Sequence, residues 1–171
     1  GAIARPYMQT LCETLGESIF LSVLDRGSVV TLAEEESRAS LRVVSEVGAR
    51  LPLHCTSQGK LFLALSTQAE ARRILTYAPL QFHTPRTLLT YEQFLPELAR
   101  IRNQGYAVEN EEYKLGLQSI SAPIRTASGE VRYALGCIGL ARGYHTDVSD
   151  TAHTLCEAAL AISRQIGYRG A

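Results

Sequence analysis

The chain has 171 residues, the size of one domain and long enough to bury a substantial core without disulfides. Lys plus Arg and Asp plus Glu total 17 each, so no net field draws this segment to nucleic acid. Its apolar runs are short and broken by Glu, Arg or Gly, which excludes a helical membrane span and the core of a signal peptide. Cys12, Cys55, Cys137 and Cys156 form no C-x-x-C pair and read as reduced thiols of a soluble, cytoplasmic protein. Gly1-Ala2 run directly into a helical pattern, and the natural protein is expected to continue upstream.

Met8, Leu11, Cys12 and Leu15 fall at helical spacing within 6–15, and Gly16 is placed to stop that helix. Runs rich in β-formers over 19–24 and 28–33 flank Asp25-Arg26-Gly27, which predicts a hairpin. Glu34-Glu35-Glu36 reads as a solvated loop before a third strand over 41–47. The stretch from Gly48 to Leu65 then reads as a strand end, a polar connection and a helix that starts at Thr56 or Ser57. Such a start leaves amide N–H groups unpaired beside a positive dipole end, a ready site for a carboxylate or phosphate.

Leu61 to Leu65 is apolar nearly all round, so this helix is expected to be buried on most sides. Thr67-x-x-Glu70 opens a further helix that turns Ala71, Ile74 and Leu75 inward. Residues 77–86, with Pro79 and Pro85, read as a loop. Thr90-x-x-Gln93 caps a helix with Leu95, Leu98, Ala99 and Ile101 toward the core, in which Pro96 begins the regular part or bends it. From Tyr106 the period becomes two, with strands over 106–108, 115–124 and 131–140, the last pair joined through Ala127-Ser128-Gly129. Ile120, Ala122 and Ile124 point one way; Leu115, Leu117, Ser119 and Ser121 point the other. A long helix over 146–167 closes the chain on Ala152, Leu155, Ala159, Ile162 and Ile166. The order of elements gives one α+β domain over residues 1–171 with a mostly antiparallel sheet.

Several side chains carry chemistry. Lys60 opposes the dipole at the start of its helix, so it either marks a site or sends its stem to a surface carboxylate. His54 and Cys55 are adjacent, which in a strand sends them to opposite faces and serves a Cys-His dyad poorly. His153 and Cys156 have the spacing of half a zinc site, but no second pair matches, so no metal is expected. Glu109, Glu111 and Glu112 form a carboxylate cluster, and Arg42 and Arg50 either steer an anion or decorate a strand.

Taken together, GARLPLHCTSQGKLFLA (residues 48–64) and NQGYAVENEEYKLGLQSISAPIRTASGEVRYALGCIGL (residues 103–140) resemble the effector-binding domain of the IclR family of bacterial transcription regulators. The likeness spans nearly the whole chain. It implies a GAF-like, roughly six-stranded sheet with helices on one face and a small-molecule pocket on the other. It also implies assembly as a homodimer or tetramer, and DNA contact only through an N-terminal winged helix-turn-helix that these residues lack. The family's ligand carboxylate meets backbone amides at the TxxGK helix start, here Ser57 and Gln58. Its pocket positions correspond to Val43, Leu51, Glu109, Leu117, Ser119, Gly136 and Ile138, with His54 as a further candidate. Family members that hold small oxo acids place hydroxyls at the positions of Gly136 and Ile138 and a thiol at that of Ser119. The loss of polar groups and volume in the last strand favours a larger, flatter, less polar ligand, so an aromatic carboxylate such as a hydroxybenzoate is expected. No cofactor is implied. The competing readings are a thiol-dependent hydrolase using Cys55 or Cys137 and a stand-alone ligand-binding module.

Overall fold

In the computed structural model, which describes residues 1–39, 46–77, 79–141 and 147–170, the elements run α1 (Ala4–Leu15), β1 (Ser18–Asp25), β2 (Ser28–Glu35), β3 (Arg50–Leu51), α2 (Ser57–Leu65), α3 (Gln68–Tyr77), α4 (Tyr91–Gln104), β4 (Ala107–Asn110), β5 (Leu117–Arg125), β6 (Val131–Leu140) and α5 (Val148–Gln165). The six strands form one sheet in the order β3-β2-β1-β6-β5-β4, antiparallel at every junction. The strand expected over 41–47, with Arg42 and Val43, lies outside the described residues except for Glu46 and Val47, which are not in a strand.

Local chemistry explains most boundaries. Gly16 adopts φ +69° and returns its N–H to the Cys12 carbonyl, ending α1. Arg26 (φ +48°) and Gly27 (φ +75°) make a two-residue turn with both positions left-handed, the geometry that matches strand twist, and Asp25 pairs directly with Ser28. This tight turn extends the hairpin, so Glu34 and Glu35 belong to β2 opposite Phe20 and Ile19 rather than to a loop. Gly116 (φ +85°) turns the chain just before β5, which leaves Leu115 outside the strand and 68% exposed. Thr90 and Gln93 form the reciprocal cap of α4, yet the buried stripe there is Phe94, Leu98 and Ile101. Leu95 and Ala99 face solvent, because Phe94 packs with α2 in the core and sets the helix rotation.

Helices cover both faces of the sheet, not one. Ile120, Ala122, Ile124, Leu135 and Cys137 pack against Met8 and Leu11 of α1 and Leu155, Ala159 and Ile162 of α5. The opposite parity, Val29, Ala107 and Ala134, packs under Leu61 to Ala64 of α2, Ala71 and Leu75 of α3 and Phe94, Leu98 and Ile101 of α4. α2 is the central helix of that layer, buried from Ser57 through Ala64. Its closeness rests on Gly59: a Cβ there would lie 2.2 Å from the Leu53 carbonyl oxygen and 2.5 Å from the Leu53 Cα. Both are backbone atoms that cannot swing away. Gly59→Ala is expected to destabilise the fold by about 3 kcal/mol or more, the upper range for overpacking, read as a lowered midpoint in urea unfolding.

Candidate functional site

On the α2 face, where the sheet runs past the start of that helix, lies a cavity of about 210 Å³. Phe20, Ala49, Leu51, Leu117 and Ile138 give it apolar walls, Thr56, Gln58, Tyr113 and Ser119 line it with polar atoms, and Glu46, Glu109 and Lys114 bring charge. The sheet register explains the gathering. Ser119 sits between Glu109 of β4 and Ile138 of β6, so alternate residues of three strands converge on one surface.

The helix start leaves backbone donors without helical partners. Thr56 is the N-cap: its Oγ1 accepts the Gly59 amide at 3.2 Å and its carbonyl accepts that of Lys60 at 3.0 Å. The first amides of any helix have no intrahelical acceptor, which leaves those of Ser57 and Gln58. The Ser57 side chain turns away from this role, with its Oγ 2.7 Å from Ser121 Oγ, and so pins α2 to β5.

Of the residues singled out from sequence, Leu51, Gln58, Glu109, Leu117, Ser119 and Ile138 come together around the cavity. Val43 lies outside the described residues. Ser57 and Gly136 stand behind the wall, and His54 points to the loop before α4, its Nε2 donating to the Gln81 carbonyl at 2.8 Å. Thr56 was marked as the helix start, whereas Phe20, Tyr113 and Lys114 were not signalled. Phe20 corrects the expectation about Gly136, since the two residues are directly opposed on β1 and β6. A Cβ at Gly136 would lie 2.5 Å from the Phe20 Cζ. The volume that glycine gives up is therefore filled by the protein's own ring and is not left for a larger ligand.

Lys60 reaches neither the cavity nor the surface. It is 1% exposed, and its Nζ donates to Glu112 Oε1 and Oε2 (both 2.9 Å), to Glu97 Oε1 (3.0 Å) and to the Val108 carbonyl (2.7 Å). The acidic cluster is thus divided: Glu112 closes on Lys60, Glu111 accepts the Gly116 amide (2.8 Å), and Glu109 faces the cavity. Burial pushes the Glu109 carboxyl up to about 8, with the nearby Glu112 charge adding to the rise and the Glu112 amide and Lys60 opposing it. At neutral pH this group is mostly a neutral acid.

The thiols are not poised as nucleophiles. Cys137 lies in the core between the sheet and α1 and α5. Burial, with Glu109 and Glu112 nearby, pushes Cys55 up to about 12. His54 and Cys55 lie in a turn, not a strand, so they do not diverge; with His83 they place three donor atoms within 4.8 Å of one another. On α5, Cys156 turns toward the Gly105 carbonyl while His153 pairs with Glu157 at the surface, and they build no metal cluster among the described residues. Arg50 binds Asp25 across the hairpin end, with its Nη2 2.5 Å from Oδ2.

A six-stranded antiparallel sheet with helices on both faces and a small cavity against a helix start defines an α+β domain with room for a small ligand. The sequence profile described as bacterial transcriptional regulator IclR C-terminal matches residues 1–164, and the chain belongs to that family. It is 34% identical over 167 residues to the HTH-type transcriptional regulator KdgR of Dickeya chrysanthemi, an alignment covering 94% of this chain and 53% of KdgR. The chain spans about half to two thirds of the length of the curated relatives it matches. The crystal structure of Thermotoga maritima IclR superposes with a TM-score of 0.91 at 30% identity, covering 98% of this chain and 68% of that one. An IclR homolog from Microbacterium hydrocarbonoxydans, complexed with 4-hydroxybenzoate, superposes with a TM-score of 0.86 at 27% identity, covering 96% and 67%. Among the described residues, no helix is long and apolar enough to cross a membrane.

Two outcomes follow from the buried charges. Lys60→Met strands Glu112 and is expected to cost about 3–5 kcal/mol in urea unfolding, with much of the loss recovered in the double variant Lys60→Met/Glu112→Leu. Glu109 keeps its proton in the folded chain up to about pH 8 against an ordinary value of 4.5. Its contribution to stability is therefore complete below the ordinary value and is lost as pH rises through about 8, at up to about 1.4 kcal/mol per pH unit. Glu109→Gln is expected to flatten the stability profile between those limits.

Proposed function

We propose that residues 1–171 are the effector-sensing part of a transcription regulator and that the cavity at the start of α2 takes a small aromatic carboxylate. One observation carries this reading: a cavity of about 210 Å³ whose walls are mainly apolar and include Phe20, and which is lined at the start of α2 by Thr56 and Gln58. An apolar cavity of roughly 150 Å³ is filled by a benzene ring. The extra space suits one ring with a carboxylate and one more polar group, and is small for drug-sized ligands. The structural likeness to a family member complexed with 4-hydroxybenzoate supports the same class.

In this reading the ligand carboxylate meets the Ser57 and Gln58 amides and the α2 dipole. Lys114 at the cavity edge steers the anion inward. The flat body of the ligand lies among Phe20, Leu51, Leu117 and Ile138. Neutral Glu109 donates a hydrogen bond, together with Ser119, to the ligand's second polar group. No bond is made or broken. Binding is useful to regulation to the extent that its free energy differs between DNA-competent and incompetent assemblies of the full protein, with DNA contacted by a helix-turn-helix domain beyond these residues. The assembly is expected to be a dimer or tetramer.

A thermal-shift series of this chain with benzoate, 3- and 4-hydroxybenzoate, phenylacetate and short oxo acids tests the proposal. A hydroxybenzoate at a hundred times its Kd adds about 2.7 kcal/mol of stability; a panel in which no carboxylate raises the melting temperature overturns the reading. Calorimetric titration with the best ligand is expected to show affinity falling as pH rises through about 8, where the ionising Glu109 repels the carboxylate, and Glu109→Gln is expected to remove that fall. Lys114→Glu is expected to weaken binding severalfold, and more so at low salt.

A further inference from the structure

A second site lies beside the cavity, on the far side of Tyr113. His54 and Cys55, in the turn before α2, and His83, on the loop before α4, each offer one donor atom, all within 4.8 Å of one another. We propose that these three residues form a zinc-binding site, with a water as fourth ligand. Two imidazoles and a thiolate are a donor set that zinc takes up, and three protein ligands with one open position is a known arrangement for it.

The surroundings hold the donors in place. The Gln81 oxygen that receives the His54 Nε2 is a carbonyl and only accepts, so Nε2 carries the hydrogen and Nδ1 presents its lone pair. A metal-bound imidazole is commonly oriented by such a bond from its other nitrogen. The His83 amide donates to Thr87 Oγ1 at 3.2 Å, and Thr87 Oγ1 donates to the Glu112 carbonyl at 2.7 Å, so the loop bearing this ligand is tied to the turn after β4. The His83 ring meets the edge of Tyr113 at 4.9 Å between centroids. His54 and Cys55 are buried and His83 is exposed, which makes a site with two fixed donors and one that closes from the solvent side.

Tetrahedral zinc with bonds of about 2.0 Å to nitrogen and 2.3 Å to sulfur sets its donors roughly 3.3–3.6 Å apart. The donors therefore need to draw in by little more than an ångström, which a rotation of the exposed His83 ring supplies. As the zinc–sulfur bond forms, the Cys55 thiol proton leaves to solvent and no electron is transferred. Metal binding would tie the His83 loop to the turn that precedes α2, and would brace Tyr113, which is also a wall of the effector cavity.

Cobalt(II) titration of the purified chain under reducing conditions tests the site without any effector. One equivalent is expected to give a thiolate-to-cobalt charge-transfer band and the intense visible absorption of tetrahedral cobalt, both displaced by zinc, and zinc alone is expected to raise the melting temperature. Cys55→Ser removes the charge-transfer band. His83→Ala changes only an exposed ring, is expected to keep the circular dichroism spectrum of the parent, and weakens cobalt and zinc binding at least tenfold. His153→Ala leaves binding unchanged. Absence of the charge-transfer band in the parent chain, or equal metal affinity in parent and His83→Ala, overturns the proposal.

Discussion

The buried ammonium of Lys60 is the interaction on which the rest of the site depends. One side chain on α2 reaches Glu97 on α4, the carbonyl of Val108 on β4 and both oxygens of Glu112 in the turn that follows. Those four acceptor atoms sit on three residues in separate parts of the fold, and only a long cation with three hydrogens satisfies them together. Two carboxylates around one ammonium would leave excess negative charge, but Arg100 closes on the second oxygen of Glu97 and brings the group nearer to balance. The consequence for the cavity is direct. With Glu112 fixed, the neighbouring Glu109 and Tyr113 are set at the cavity wall, and Thr84 and Thr87 are anchored by the carbonyls of Glu111 and Glu112. The network gives the wall a defined position more than it adds net stability, in line with the small net gain of buried ion pairs.

Helix and strand identities were legible in the sequence because they rest on local rules. The cap at Thr56, the reciprocal pair Thr90 and Gln93, the αL stop at Gly16 and the period-two pattern of β5 and β6 are each written within a few residues. The rotation of α4 was not, since Leu95 and Phe94 are equally apolar and the choice between them is made by what α2 presents. The placement of helices on both sheet faces was hidden for a similar reason. Ile120, Ala122 and Ile124 identify one covered face, but the hydroxyls of Ser119 and Ser121 disguise the other, where Ser121 in fact meets Ser57 under a helix.

The candidate site divides the same way. Leu51, Gln58, Glu109, Leu117, Ser119 and Ile138 were marked through the family resemblance and surround the cavity. Phe20, Tyr113 and Lys114 carry no local sign of a site; they arrive through strand register and the turn after β4. Lys60 looked like a charge at odds with its helix dipole, and that conflict was a real signal. It pointed to a buried network rather than to a ligand, a distinction that only the positions of Glu97 and Glu112, 37 and 52 residues away, resolve. His54 and Cys55 were separated by the assumption of a strand that the turn before α2 does not provide.

Gly136 sets a limit on the course of sequence change. A side chain added there collides with the Phe20 ring and also with the backbone carbonyl oxygen of Ile120. A smaller residue at 20 relieves only the first of these clashes and opens a void over bare backbone. No paired exchange of these two residues therefore carries the wall to a new shape. Altered ligand preference there has to arise at positions that already carry side chains.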